Sequence, residues 1–221
     1  MPLWIKICGN TSLVDAALAA EAGANAVGFV FAPSPRRVTV EKVAAITPHL
    51  PAATEIIGVF VGASLDEIAS AVEACSLTGV QLHFDPPPEL TAQLRHRFGP
   101  QLRILRVIHY SAESAPDFDR AAADPNTSAM LVDSRTATAA GGTGIPYDWI
   151  AASKALLQSS KAREHNNLVV AGGLTPENVV EAIAMLEPWG VDVVSGVESA
   201  PGKKDPDKVR AFIANARLAS L

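Results

Sequence analysis

What most constrains this chain is an alternation that repeats eight times. Short apolar runs rich in Val and Ile are separated by segments of helix length. The runs are "WIKIC" at Trp4–Cys8, "AVGFVF" at Ala26–Phe31, "EIIGVFV" at Glu55–Val61 and "GVQLH" at Gly79–His83. They continue with "LRILRVI" at Leu102–Ile108, "MLVD" at Met130–Asp133, "LVVA" at Leu168–Ala171 and "VDVVS" at Val191–Ser195. Near-continuous hydrophobicity over four to seven residues is how strands covered on both faces read. Eight strand–helix units, starting roughly 22 to 38 residues apart, predict a (β/α)₈ TIM barrel over residues 1–221, one catalytic domain of the α/β class. An open doubly wound sheet is the main alternative, but it often carries a Gly-rich turn after its first strand. Here that place holds "CGNTS".

The intervening segments carry helix signals. Ser64 with Glu67 three residues on forms a capping box for "LDEIASAVEAC". "TSLVDAALAAEAGA" is an alanine-rich helix closing at Gly23. Thr175-Pro176 opens "ENVVEAIAML" with Pro at the first helical position, and Asp205-Pro206 opens the last helix. "DPPP" at Asp85–Pro88 reads as a rigid lead into a helix rather than a domain boundary.

Composition narrows the class. About half of the 221 residues are apolar, and the formal net charge is −5. Beyond "RHR" at Arg95–Arg97 no basic stretch stands out, which argues against nucleic acid as a partner. No apolar run approaches the roughly 20 residues of a membrane span. The first residues show no signal peptide, and two distant cysteines form no disulfide framework, so the expectation is a cytoplasmic protein with reduced thiols. Nothing decides between a homodimer and a monomer.

In a barrel the site lies at the C-terminal ends of the strands. Those ends hold Cys8, the "APSPRR" stretch, His83, Asp133, "AGGLTPEN" and "SGVESAPGKKD". Gly172-Gly173 after the seventh strand and Ser195-Gly196 after the eighth lie where barrels often bind phosphate through backbone N–H groups. Tight turns alone would explain one such pair; two after adjacent strands favour an anion site. The long loop after the sixth strand holds "GGTG" at Gly141–Gly144, a lid if it is more than a connection.

Cys8 and Asp133 suit an acid–base pair across the mouth. Each has a plainer reading, packing for the thiol and a loop cap for the carboxylate. A thiol used as a base near neutral pH needs a site that favours the thiolate. Lys6 shares the parity of Cys8, so an inward Lys6 needs a buried partner, and Asp192 on the strand closing against the first is the candidate.

Taken together, the motifs resemble phosphoribosylanthranilate isomerase. "KICG", "AVGFVF…SPRRV", "VQLH", "LVDS…GGTG…YDW", "AGGLTPENV" and "VDVVSGVESAPGKKD" fall in order from the first strand to the last helix. Asn10-Thr11-Ser12, Phe84 and Ile145 depart from the common family pattern. The resemblance implies an Amadori rearrangement of N-(5-phosphoribosyl)anthranilate in tryptophan biosynthesis, with no metal and no organic cofactor. It implies Cys8 as general base and Asp133 as general acid, with Arg36 on the anthranilate carboxylate and Arg37 solvated. Gly172, Gly173, Ser195 and Gly196 would take the phosphate, with His83 and Gly142 near the substrate, a small phosphosugar. Two other readings stay open: a different ribose-phosphate isomerase or epimerase, and a non-catalytic phosphate-ligand binder on the same fold.

Overall fold

The computed structural model describes residues 2–83, 86–109, 115–133 and 167–219. Eight parallel strands close into a barrel in sequence order. They are β1 (Trp4–Ile7), β2 (Ala26–Val30), β3 (Glu55–Val61), β4 (Gly79–His83), β5 (Arg103–His109), β6 (Ala129–Asp133), β7 (Leu168–Ala171) and β8 (Gly190–Val193). The described helices are α1 (Leu13–Glu21), α2 (Val40–Ile46), α3 (Leu65–Cys75), α4 (Pro88–Phe98), α5 (Ala115–Ala123), α6 (Val179–Leu186) and α7 (Pro206–Ala219). Every expected strand is present, with edges shifted by one or two residues at most.

The expected caps are made. Ser64 and Glu67 exchange both capping-box bonds at the start of α3. Ser12 Oγ accepts from the backbone of Asp15 at the start of α1, and Gly23 follows its end at φ 100°. One expectation needs correction. Pro176 does not open α6, which begins three residues later at Val179. The side-chain amide oxygen of Asn178 accepts from Thr175 N at 2.8 Å, and its Nδ2 donates to Gly173 O at 2.9 Å. These bonds hold 175–178 as a turn folded back on the β7 loop.

Strand alternation builds two shells. Ile5, Ile7, Val27, Phe29, Val80, Ile104, Val170 and Val191 point outward and pack against the helices. Trp4, Ala26, Ile57, Leu105, Val107, Ala129, Leu131, Val169 and Ala171 fill the interior. Each fully buried aliphatic chain contributes about 1.5–3 kcal/mol relative to exposure. The N-terminal end is plugged. Trp4 stacks on Trp189 at 5.1 Å between ring centroids, and Arg103 lies over both rings and pairs with Glu55. A Cβ on Gly190 would lie 2.8 Å from Trp4 O and 2.9 Å from its ring, so only glycine admits that indole. The barrel is therefore closed at one end, and chemistry is left to the other.

The chain ends meet at the β1–β8 seam, where Lys6 pairs in register with Asp192. Beyond β8 a short antiparallel ribbon, β9 (Glu198–Ala200) with β10 (Lys203–Lys204), folds over that seam. No helix among the described residues is long and apolar enough to cross a membrane.

Candidate active site

Parity carries side chains from the plugged end to the open one. On β1 the inward series runs Trp4, Lys6, Cys8; on β6 it runs Ala129, Leu131, Asp133. Cys8 lies just past the last residue of β1, and Asp133 is the last residue of β6. Both are buried, at 3% and 1% exposure. On β4 the same parity turns Gln81 and His83 inward, and on β8 it turns Asp192 inward.

Beneath Cys8 the expected Lys6–Asp192 pair is formed. Lys6 is fully buried, and its ammonium donates to Asp192 Oδ1 at 3.0 Å. It also donates to Gln81 Oε1 at 2.8 Å, a partner on β4 that parity could have signalled and that the sequence reading missed. Because that oxygen is taken, the Gln81 amide nitrogen donates to His83 Nε2 at 3.1 Å. A chain of contacts thus crosses the barrel from β8 through β1 to β4 and reaches His83.

Gly28 on β2 makes the thiol and the ammonium neighbours. A Cβ there would lie 2.5 Å from Cys8 Sγ and 2.9 Å from Lys6 Cε, so both side chains occupy the space that glycine leaves. Burial is the largest influence on the thiol and pushes it up. The charge of Lys6 and that of the more remote Lys204 pull it down, while Asp192 pushes it up. The net direction is up. The expectation that the site favours the thiolate is not met: two cations oppose burial without overcoming it.

A second buried cluster lies on the β8 side. Arg36 donates from Nε to Glu198 Oε1 at 2.8 Å and from Nη2 to Glu198 Oε2 at 2.6 Å. Lys204 Nζ donates to Glu198 Oε1 at 3.2 Å, to Val194 O at 3.1 Å and to the carbonyl of Cys8 at 2.6 Å. Burial pushes the Glu198 carboxyl up, but Arg36 and Lys204 outweigh it and hold it below its ordinary value. Arg36 is thus tied to a protein carboxylate along one edge of its guanidinium, and the Nη1 edge is left for another anion. The turn after Cys8 is shaped for this. Gly9 has φ 74°, and a Cβ there would lie 2.8 Å from Arg36 Cδ, so the arginine stem lies against the backbone beside the thiol. Neither Glu198 nor Lys204 was found in the sequence, because both lie beyond the last barrel strand where parity no longer applies. Arg37 is exposed, as expected.

The loops after β7 and β8 meet. Gly172 and Gly173 follow β7 with φ of 83° and 64°, consecutive left-handed residues that favour glycine. Ser195–Val197 forms a 3₁₀ turn after β8. A Cβ on Gly196 would lie 1.9 Å from Leu174 O, so the β8 loop rests directly on the backbone of the β7 loop. Gly142 and the loop expected to act as a lid lie outside the described residues. Among the described residues no group of three or more His, Cys, Asp or Glu is placed to hold a metal. A cavity of about 690 Å³ between α2 and α3, lined by Phe31, Arg37, Phe60 and Asp66 among others, includes none of these candidate residues.

The sequence matches the family model for N-(5'-phosphoribosyl)anthranilate (PRA) isomerase over residues 5–215. It is 44% identical over 220 residues to N-(5'-phosphoribosyl)anthranilate isomerase of Magnetococcus marinus, covering 99% of this chain and 97% of that one. The fold is similar to the crystal structure of phosphoribosyl anthranilate isomerase from Thermotoga maritima, with TM-score 0.84, 37% identity and coverage of 97% and 98%. A solved phosphoribosyl anthranilate isomerase in complex with reduced 1-(o-carboxyphenylamino)-1-deoxyribulose 5-phosphate aligns with TM-score 0.78, at 35% identity and coverage of 97% and 98%. With a family model spanning nearly the whole chain and a barrel of matching topology, this chain belongs to the N-(5'-phosphoribosyl)anthranilate isomerase family.

Proposed function

We propose that this chain is a single catalytic barrel that converts N-(5-phosphoribosyl)anthranilate to 1-(2-carboxyphenylamino)-1-deoxyribulose 5-phosphate in tryptophan biosynthesis, in the cytoplasm. The observation that carries the reading is the convergence of two inward groups, Cys8 and Asp133, on the barrel end that also holds the paired glycine loops. Asp133, as a carboxylic acid, gives its proton to the ribose ring oxygen. The ring C–O bond breaks, and the nitrogen lone pair forms the iminium. Cys8 as thiolate then takes the C2 proton. The electrons flow to the iminium nitrogen, giving an enolamine that tautomerises to the ketone. The iminium is itself the electron sink for this step.

Binding roles follow from chemistry at fixed places. The free edge of Arg36 suits the anthranilate carboxylate through two parallel hydrogen bonds, with Glu198 holding the other edge. Gly172, Gly173, Ser195 and Gly196 offer closely approached backbone to the phosphate. His83, oriented by Gln81, and Gly142 would line the substrate.

The test follows loss of the substrate's anthranilate fluorescence. Wild type turns over; Cys8→Ala and Asp133→Asn fall by about 10²–10⁴-fold in kcat, the usual worth of general acid–base groups. Equal rates in all three would sink the assignment. No loss of signal with wild type would leave a phosphate-ligand binder.

A further inference from the structure

The mechanism above uses Cys8 and Asp133 but leaves unused a lysine and an aspartate buried inside the barrel. We propose that Lys6 is a positioning residue that acts through Cys8: its ammonium, pinned beneath the sulfur, sets how much of the thiol is thiolate, and Asp192 moderates it. The inference rests on the reading of Cys8 as the base.

The geometry is specific. A strand interior is a costly place for an ammonium unless it is paired. A merely structural pair would be complete with Lys6 and Asp192 at 3.0 Å and Gln81 at 2.8 Å. Instead Cys8 Sγ and Lys6 Cε crowd together into the gap above Gly28, which sets the lysine's charged end beside the sulfur. The anchors on β8 and β4 stop the lysine from swinging away from the sulfur. Burial pulls the Lys6 ammonium towards its neutral form, but Asp192 and Cys8 outweigh that and keep it charged. Other charged groups approach Cys8 from elsewhere. Lys204 comes from β10 and contacts the Cys8 carbonyl, Arg36 lies over Gly9 with Glu198 behind it, and Asp133 and His83 are the inward ends of β6 and β4. Lys6 is the cation whose side chain shares the space above Gly28 with the sulfur, so the charge effect is concentrated there.

This arrangement makes a prediction of sign. Removing Lys6 withdraws positive charge from beneath the sulfur; removing the charge of Asp192 withdraws negative charge. Thiolate absorbance in the ultraviolet, taken as a difference against Cys8→Ala in a Cys75→Ala background, reads the thiol directly. The pH profile of kcat/KM reads its use. Lys6→Met should move both titrations up by about one pH unit or more, a tenfold or greater loss of thiolate at fixed pH below the midpoint. Asp192→Asn should move both down. The double variant Lys6→Met/Asp192→Asn has no unpaired buried charge, so it guards against misfolding, and it should still titrate above wild type. A purely structural pair would lower kcat in both single variants with neither titration displaced. That result, or displacement of both singles in the same direction, overturns the inference. If absorbance moves as expected while the activity profile does not, the charge effect stands and Cys8 is not the base.

Discussion

Gly196 gives the sharpest test of the proposal that the loops after β7 and β8 jointly bind the phosphate. A Cβ added there would sit 1.9 Å from Leu174 O, 2.9 Å from Leu174 C and 3.1 Å from Thr175 Cα. All three are backbone atoms, so no side chain can rotate aside. Van der Waals separation for such atoms exceeds 3 Å, so Gly196→Ala must drive the β7 and β8 loops apart by more than about 1 Å. The strain falls on Gly172 and Gly173, just upstream of Leu174 at φ 83° and 64°. Overpacking of this kind costs about 1–3 kcal/mol of stability. Displacing N–H donors from an anion loses charge-assisted hydrogen bonds worth about 1.5–3 kcal/mol each, or roughly 10- to 100-fold in affinity. The expected phenotype is a KM raised by that factor and weaker competitive inhibition by inorganic phosphate. The pH profile of kcat should be retained, because Cys8 and Asp133 lie on other strands. A variant with unchanged KM and unchanged phosphate inhibition would refute the idea that these loops jointly bind the phosphate.

Two more outcomes follow from the same contacts. Gly28→Ala places a Cβ 2.5 Å from Cys8 Sγ and 2.9 Å from Lys6 Cε, so the sulfur must leave its position; kcat should fall by about 10²-fold for an ångström of misplacement, measurable by steady-state kinetics, with α-helical circular dichroism retained. Glu198→Gln weakens the hold on Arg36, so KM should rise more than kcat falls; because the folded carboxyl lies below its ordinary 4.5, its stabilisation is whole above that value and is lost as pH falls through the lower one, so the variant, which lacks that stabilisation from the outset, should begin acid unfolding, followed by fluorescence, at higher pH than wild type.

Much of this was legible because a strand reports direction at every residue. An apolar run gives its own place in the barrel, and a charge in the middle of it gives a demand. Lys6 at inward parity needed a carboxylate on the neighbouring strand, and Asp192 was the one available. The same reasoning would have found Gln81, a polar residue at an inward position of β4. It could not have found Glu198 or Lys204. They lie on a ribbon of three and two residues, too short to leave a periodic pattern, and their partners are 162 and 196 positions away. The start of α6 departs from its proline signal for a local reason: Asn178 satisfies the turn at Thr175, so Pro176 serves that turn instead of the first helical position. The direction of the thiol's shift was also hidden, because burial depth around a strand end depends on every neighbouring loop.

The barrel's closing seam explains why the candidate base is where it is. Cys8 lies just past the end of the first strand, yet its carbonyl is held by Lys204 and its backbone N–H donates to Val193 O at 2.9 Å. Thr11 Oγ1 donates to Gly202 O at 2.6 Å, and Arg217 on α7 donates to Leu3 O. The backbone around the sulfur is therefore held by the last strand, the ribbon and the last helix of the sequence. Buried charge here is poorly explained as stabilisation, since an apolar pair of similar volume is often as stable as a buried ion pair. Two such clusters flank Cys8, one beneath it and one beside it, and both draw an acid from the C-terminal segment. A chain lacking that segment would strip Lys6 and Arg36 of their carboxylates and the Cys8 carbonyl of its ammonium at once. Closure of the barrel and assembly of the site are then one event, and a barrel left open at this seam would hold no competent thiol.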